Sequence, residues 1–106
     1  RAHGAAFVTW VSVDAAQVSI LDPEGFLKWY ASSGEALRGF CSRCGSNLFL
    51  KSNNWPGELH IARANFTDPV DCAPQLHGYY DLHVDWYEVN DDLPKKSAPA
   101  PAGSPQ

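Results

Sequence analysis

The chain has 106 residues and a mass of 11.6 kDa, the size of one small domain, which excludes a multidomain enzyme built from this chain alone. Apolar residues make up 44% of it and charged ones 19%, and its 4 Trp, 4 Tyr and 5 Phe are enough for a packed core, which argues against wholesale disorder. Eight Lys or Arg face 12 Asp or Glu for a net charge of -4, and Ala64 to Leu93 holds seven acidic residues and no Lys or Arg, so nucleic acid and anionic membranes are poor partners.

Taken in chain order, apolar residues recur at every second position or in short blocks, the spacing of strands. Ala6 to Val13 reads as a first strand, and because it is apolar on both faces it is expected to be covered and central. Asp14 or Asp22 can each open a short helical turn. Val18 to Leu21 and Leu27 to Ala31 read as further strands around the turn Asp22-Pro-Glu-Gly25, and Ser32-Ser-Gly34 reverses the chain. Asn47 to Leu50 and Glu58 to Ala64 flank the turn Asn53-Asn-Trp-Pro-Gly57. The second of them puts Leu59 and Ile61 on one face and His60 and Ala62 on the other. After Asp68-Pro69 and Ala73-Pro74, Val84 to Val89 reads as a last strand.

No segment carries an apolar stripe at helical spacing over three turns, so the fold class is mainly β, several short antiparallel strands folded into packed sheets. From Pro94 the sequence PKKSAPAPAGSPQ cannot bury enough apolar surface to order itself and is expected to be an extended tail held by contacts. The division is therefore a β domain over 1–93 and a Pro/Ala-rich tail over 94–106. No apolar run approaches the roughly 20 residues of a membrane-spanning helix, and the opening RAHGAAFVTWV lacks the pattern of a secretory signal. The chain has no Met and opens on Arg1, so further residues are expected upstream.

Gly39-Phe40-Cys41-Ser42-Arg43-Cys44-Gly45 is the most specific feature. Two thiolates two residues apart on a tight turn can take adjacent corners of a zinc tetrahedron, and Gly45 lets the turn fold back. A structural zinc takes four ligands, and no second Cys-x-Cys or Cys-x-x-Cys is present, so the plainer alternative is a buried or oxidised cysteine pair without metal. Three cysteines, an odd number, fit a metal knuckle or redox pair in the cytoplasm better than an extracellular disulfide framework. A thioredoxin-like reading lacks its strand and helix context.

Cys72 reads as a structural thiol. His3, His60, His77 and His83 could each complete a metal site, although isolated histidines in half-buried strands are more often packed than ligating. His3 is the first suspect among them. The aromatic residues are expected mostly in the core, and the acidic stretch with Asp81, Asp85, Glu88, Asp91 and Asp92 reads as a solvated face.

HGAAFVTWVSV, LRGFCSRCGSNLFL, HIARANFTDP, then His77 with Trp86 nine positions on, and the ending DDLP together resemble the glutathione-dependent formaldehyde-activating enzyme family, which includes centromere protein V. The match of order and spacing runs along nearly all of the chain up to Pro94. The Gly-Phe-Cys-x-x-Cys-Gly block and the Trp-to-Asp-Leu-Pro ending are specific jointly.

The resemblance implies a zinc-containing fold of the β-tent type and a carbon-sulfur lyase that adds glutathione, or another thiol, to formaldehyde. It places Cys41 and Cys44 as half of a structural zinc site. The other half, a Cys-x-Cys, and the catalytic zinc's Cys-x-Cys-x-x-Cys lie in the family ahead of the position of Arg1, and none of those cysteines is in this sequence. His83 stands where many members have a Lys ahead of the Trp. Arg38, Arg43, Lys51 and Arg63 are the basic candidates before the tail for glutathione's carboxylates.

Two expectations follow. The chain is the larger part of such a lyase and inactive alone, with no catalytic residue of its own to name. Alternatively, it is a non-catalytic binding or structural module that self-associates, a homodimer in which two copies pool Cys41 and Cys44 around one zinc. An exposed sheet edge would favour that association.

Overall fold

Alternation of apolar side chains gives five antiparallel strands: β1 (Trp10–Asp14), β2 (Leu27–Ala31), β3 (Ala36–Cys41), β4 (Asn47–Ser52) and β5 (Glu58–Ala62). The structure, a computed structural model, describes residues 4–98, so His3 and residues 99–106 of the tail lie outside the described residues. The chain divides into two units: Thr9–Pro69, which holds the sheet, and residues 4–8 together with 70–98. The fold is mainly β, as expected, and among the described residues there is no α-helix and no helix long and apolar enough to cross a membrane.

The strand order is β1-β5-β4-β3-β2, with β4 in the middle. One row of partners crosses all five strands in register, Val11, Ile61, Phe49, Gly39 and Trp29, and therefore shares one face. Within that row the Trp29 and Phe49 rings stack at 5.9 Å and 22° on either side of Gly39. A Cβ at Gly39 would stand 3.1 Å from both rings, so glycine is what lets this aromatic pair close over β3. The buried hydrophobic residues are Leu50, Leu59 and Ala62, all on β4 and β5, where each strand has a neighbour on both sides.

Four sequence expectations need correction. β1 starts only at Trp10 and is an edge strand, because apolar residues on both faces report covering of the faces and not of the hydrogen-bonding edge. Val18 to Leu21 pairs with nothing, and Leu21 is 90% exposed. Ala36–Cys41 is a full strand that the sequence does not mark, because Arg38 and Gly39 interrupt its apolar pattern and only the ladder to β2 and β4 reveals it. Val84 to Val89 forms no strand; Val84 and Val89 are half-buried while Trp86 and Tyr87 face solvent, and no neighbouring strand offers a ladder.

Local turn chemistry follows the sequence more closely. The Asp14 carboxylate accepts from Ala16 N–H at 3.0 Å and caps the 3₁₀ turn Ala15–Gln17 that ends β1. Asp22 accepts from the N–H groups of Phe26 and Leu27 at 2.9 and 3.1 Å, which fixes the entry to β2. In the other unit, residues 94–98 lie along 77–81. His77 and Lys95 form a parallel bridge, His77 N–H donates to Pro94 O, Lys96 N–H to His77 O, and Ala98 N–H to the Asp81 carboxylate. The first residues of the Pro/Ala-rich tail are thus held by backbone hydrogen bonds.

Candidate metal centre

Cys41 is the last residue of β3, and Ser42 to Cys44 turn the chain toward β4. Immediately ahead, the β3–β4 register shifts between Gly39 and Phe40, a bulge of the kind that re-aims side chains at a strand end. The turn closes with Gly45 N–H on Cys41 O at 2.7 Å and Cys41 N–H on Ser46 O at 3.0 Å. Gly45 has φ of +80°, a left-handed conformation that a side chain would strain, and this folds the chain back after Cys44. The Asp22 turn braces the same loop from the side: Ser42 N–H donates to Phe26 O at 2.7 Å, and the Arg43 guanidinium lies 5.6 Å from the Phe26 ring centroid.

Both cysteines are free thiols, Cys41 half-buried and Cys44 exposed. The Ser46 hydroxyl sits 3.2 Å from the Cys44 sulfur. Hydrogen bonds from that hydroxyl first, then from the Ser46 N–H and the Cys41 thiol, hold the Cys44 thiol below its ordinary pKa. A turn that stabilises sulfur as thiolate in this way suits two corners of a tetrahedral zinc. Such a site takes four ligands, and among the described residues no third His, Cys, Asp or Glu stands with these two. The residues present fit half of a zinc site.

The other candidates are engaged elsewhere. His60 on β5 packs its ring against Trp55 at 5.1 Å; its buried Nε2 lies 3.4 Å from Glu58 Oε1 without making a hydrogen bond. His77 Nε2 meets both Asp91 oxygens at 2.9 and 3.0 Å. His83 donates from Nδ1 to the Tyr80 carbonyl and stacks on the Tyr80 ring at 4.1 Å. The Cys72 thiol donates to Ala73 O at 3.6 Å and accepts from the Gln75 amide at 3.5 Å, the local bonding of a structural thiol.

The basic candidates do not converge either. In the β3–β4 ladder Lys51 is opposite Leu37 and Arg38 is opposite Leu50, so Lys51 and Arg38 project from opposite faces of the sheet. Arg38 Nε donates to Ser32 Oγ at 3.1 Å, and Lys51 Nζ rests 4.8 Å from the Trp29 ring centroid. Arg63 opens the 3₁₀ turn after β5, and Arg43 is in the cysteine turn itself.

Sequence reasoning missed Ser46, whose hydroxyl and N–H both serve Cys44. Its signal was present as the Ser two residues after the second cysteine. It also missed the Asp91 partner of His77, which lies 14 residues away and has no sequence signal.

The family profile described as glutathione-dependent formaldehyde-activating enzyme matches residues 1–82. No curated protein and no solved structure matches the chain.

Proposed function

Because the chain belongs to the glutathione-dependent formaldehyde-activating enzyme family, we propose that it is part of a zinc-dependent carbon-sulfur lyase acting in the cytoplasm on glutathione, or another thiol, and formaldehyde. In that reaction the thiol sulfur bonds to the carbonyl carbon. The carbonyl π pair moves to oxygen, which takes up the thiol proton, and S-hydroxymethylglutathione results. Zinc, when bound, lowers the pKa of a thiol or polarises a carbonyl.

The contribution of this chain is structural. Cys41 and Cys44 bring two sulfurs together on one turn, Ser46 and the Gly45 turn hold them in place, and the bulge at Gly39 and Phe40 sets the turn at the end of β3. The observation that carries this reading is the family match together with that prepared pair of sulfurs. The 106 residues offer no further thiolates in the spacing of a catalytic zinc, so the chain by itself is expected to show little or no lyase activity. Thiol-dependent loss of formaldehyde, compared with a Cys41→Ser variant and with buffer, tests this; a rate clearly above both controls overturns it.

A second reading is favoured by the exposure of Cys44 and by the position of β1 and β2 at the two ends of the strand order. Here two copies share one four-cysteine zinc across a symmetric homodimer, as a non-catalytic module. Zinc content measured with the mass in solution separates the readings. Half a zinc per chain in a dimer supports the shared site, one per chain in a monomer points to ligands within the chain, His3 first among them, and a metal-free monomer removes both zinc assignments.

A further inference from the structure

In the unit formed by residues 4–8 and 70–98, the chain from Tyr80 to Val89 curls around an open cleft of about 440 Å³, within the span of small-ligand sites, roughly 300–1,000 Å³. The lyase reading uses none of its residues. Its wall combines aromatic rings, Tyr80, His83, Trp86 and Tyr87, with two carboxylates, Asp85 and Glu88. Trp86 is 68% exposed and Tyr87 49%, large ring surfaces left to water beside a concavity.

Three of the four rings are braced. Tyr87 packs on Phe7 at 5.6 Å and 55°, and Tyr80 and His83 stack at 10° with the His83 Nδ1–H held by the Tyr80 carbonyl. Ala64 to Leu93 has no Lys or Arg, and a cation described against the wall comes from the segment that follows. No described cation engages Asp85 or Glu88. One wall ring already carries an ammonium: Lys95 Nζ lies 5.5 Å from the Tyr80 centroid.

We propose that this cleft binds an organic cation of the alkylammonium class, with Trp86 and Tyr87 facing its alkyl groups and Asp85 and Glu88 supplying the countercharge. Aromatic faces carry negative quadrupole charge, and an alkylammonium can meet ring and carboxylate together, which neither an anion nor a neutral apolar ligand does. A second copy of the chain is disfavoured as the occupant because its own acidic stretch would meet this one.

The test titrates choline and its uncharged carbon isostere, 3,3-dimethylbutanol, into the full chain at about pH 8, where imidazoles are neutral. The readout is the indole N–H resonance of Trp86, identified by its disappearance in Trp86→Phe. The expected result is a saturable shift with choline, binding about tenfold weaker for the isostere, and severalfold weakening in Asp85→Asn/Glu88→Gln with loss of salt sensitivity. Choline methyl line broadening should vanish in Trp86→Leu, whose folding, checked by its urea midpoint, is expected to change little because Trp86 is exposed. Equal binding of the isostere, no saturable shift at about 0.1 M choline, or broadening that persists in Trp86→Leu overturns the proposal. Zinc content and lyase activity are not read in this experiment, so its failure leaves the metal-site reading untouched.

Discussion

Thr9–Pro69 and residues 70–98 keep their conformations by different means. In the first, a periodic ladder does the holding: five strands in register place Leu50, Leu59 and Ala62 in the interior, and the edge strands β1 and β2 hold no buried residue. In the second, no side chain of 70–98 is among the buried hydrophobic residues, and Leu76, Tyr79, Leu82, Trp86 and Tyr87 are all exposed. That segment is stitched by single contacts, His77 to Asp91, Ala98 to Asp81, and the bridge between His77 and Lys95. A ladder distributes its stability over many equivalent bonds and is sensitive to loss of apolar volume, whereas a stitched segment is sensitive to charge and to individual polar groups.

Truncating one leucine in each region should break this comparison most visibly. Leu59 is 2% exposed on β5, opposite Val13 of β1, so Leu59→Ala is expected to cost about 2–5 kcal/mol. Leu82 is 56% exposed, and Leu82→Ala is expected to stay within about 0.5 kcal/mol. Urea midpoints of the two variants decide the matter. If Leu82→Ala moves the midpoint as far as Leu59→Ala, the 70–98 segment has a core of its own and the contrast fails.

A smaller effect sharpens the sheet side. Gly39→Ala places a methyl 3.1 Å from Trp29 Cζ3 and Phe49 Cδ2 and 3.2 Å from Phe49 Cβ, and the last of these cannot rotate away. Overpacking outweighs the backbone-entropy gain, for a net loss of about 1 kcal/mol. The near-ultraviolet circular dichroism of the Trp29–Phe49 stack should fall with it. A more stable Gly39→Ala with an unchanged spectrum would show that the aromatic pair has room to spread.

What the sequence revealed divides along the same line. β2, β4 and β5 were legible because their apolar spacing is enforced by burial on a sheet face. β3 was not, because its register depends on partners on both sides and on a glycine that packs by having no side chain. Val84 to Val89 carried a strand-like pattern, yet a strand exists only with a neighbour, and composition does not report one. At the candidate metal centre, Cys41 and Cys44 were readable from spacing, since a turn that brings two sulfurs together is a local matter. His60 neighbours Glu58 two residues away on its own strand and His83 bonds to Tyr80 three residues back, whereas the engagement of His77 with Asp91, 14 residues away, is tertiary and no spacing rule announces it.

The smallest expected effect lies in the stitched segment and comes from Asp91. Its carboxyl is held below the usual carboxylate range, first by the His77 hydrogen bond and then by the Leu93 N–H. A carboxyl whose pKa is depressed by folding stabilises the folded state above its unfolded value, about 3.9, and loses that contribution as pH falls through the lower folded value. The fastening of 91–96 to 77–80 is therefore complete above about pH 4 and loosens in more acidic solution. Asp91→Asn keeps an acceptor for Leu93 N–H but removes the charge that His77 meets. Amide exchange at Lys96 and Tyr80, whose N–H groups bond to His77 O and Lys96 O, should quicken in the variant, while exchange at Ile61 in the sheet stays as it was. Because Asp91 is exposed, solvent screens the pair and the change should be modest. Unaltered protection of Lys96 in Asp91→Asn would mean that the backbone bonds of 94–98 suffice alone, and would move this strap to the ladder side of the comparison.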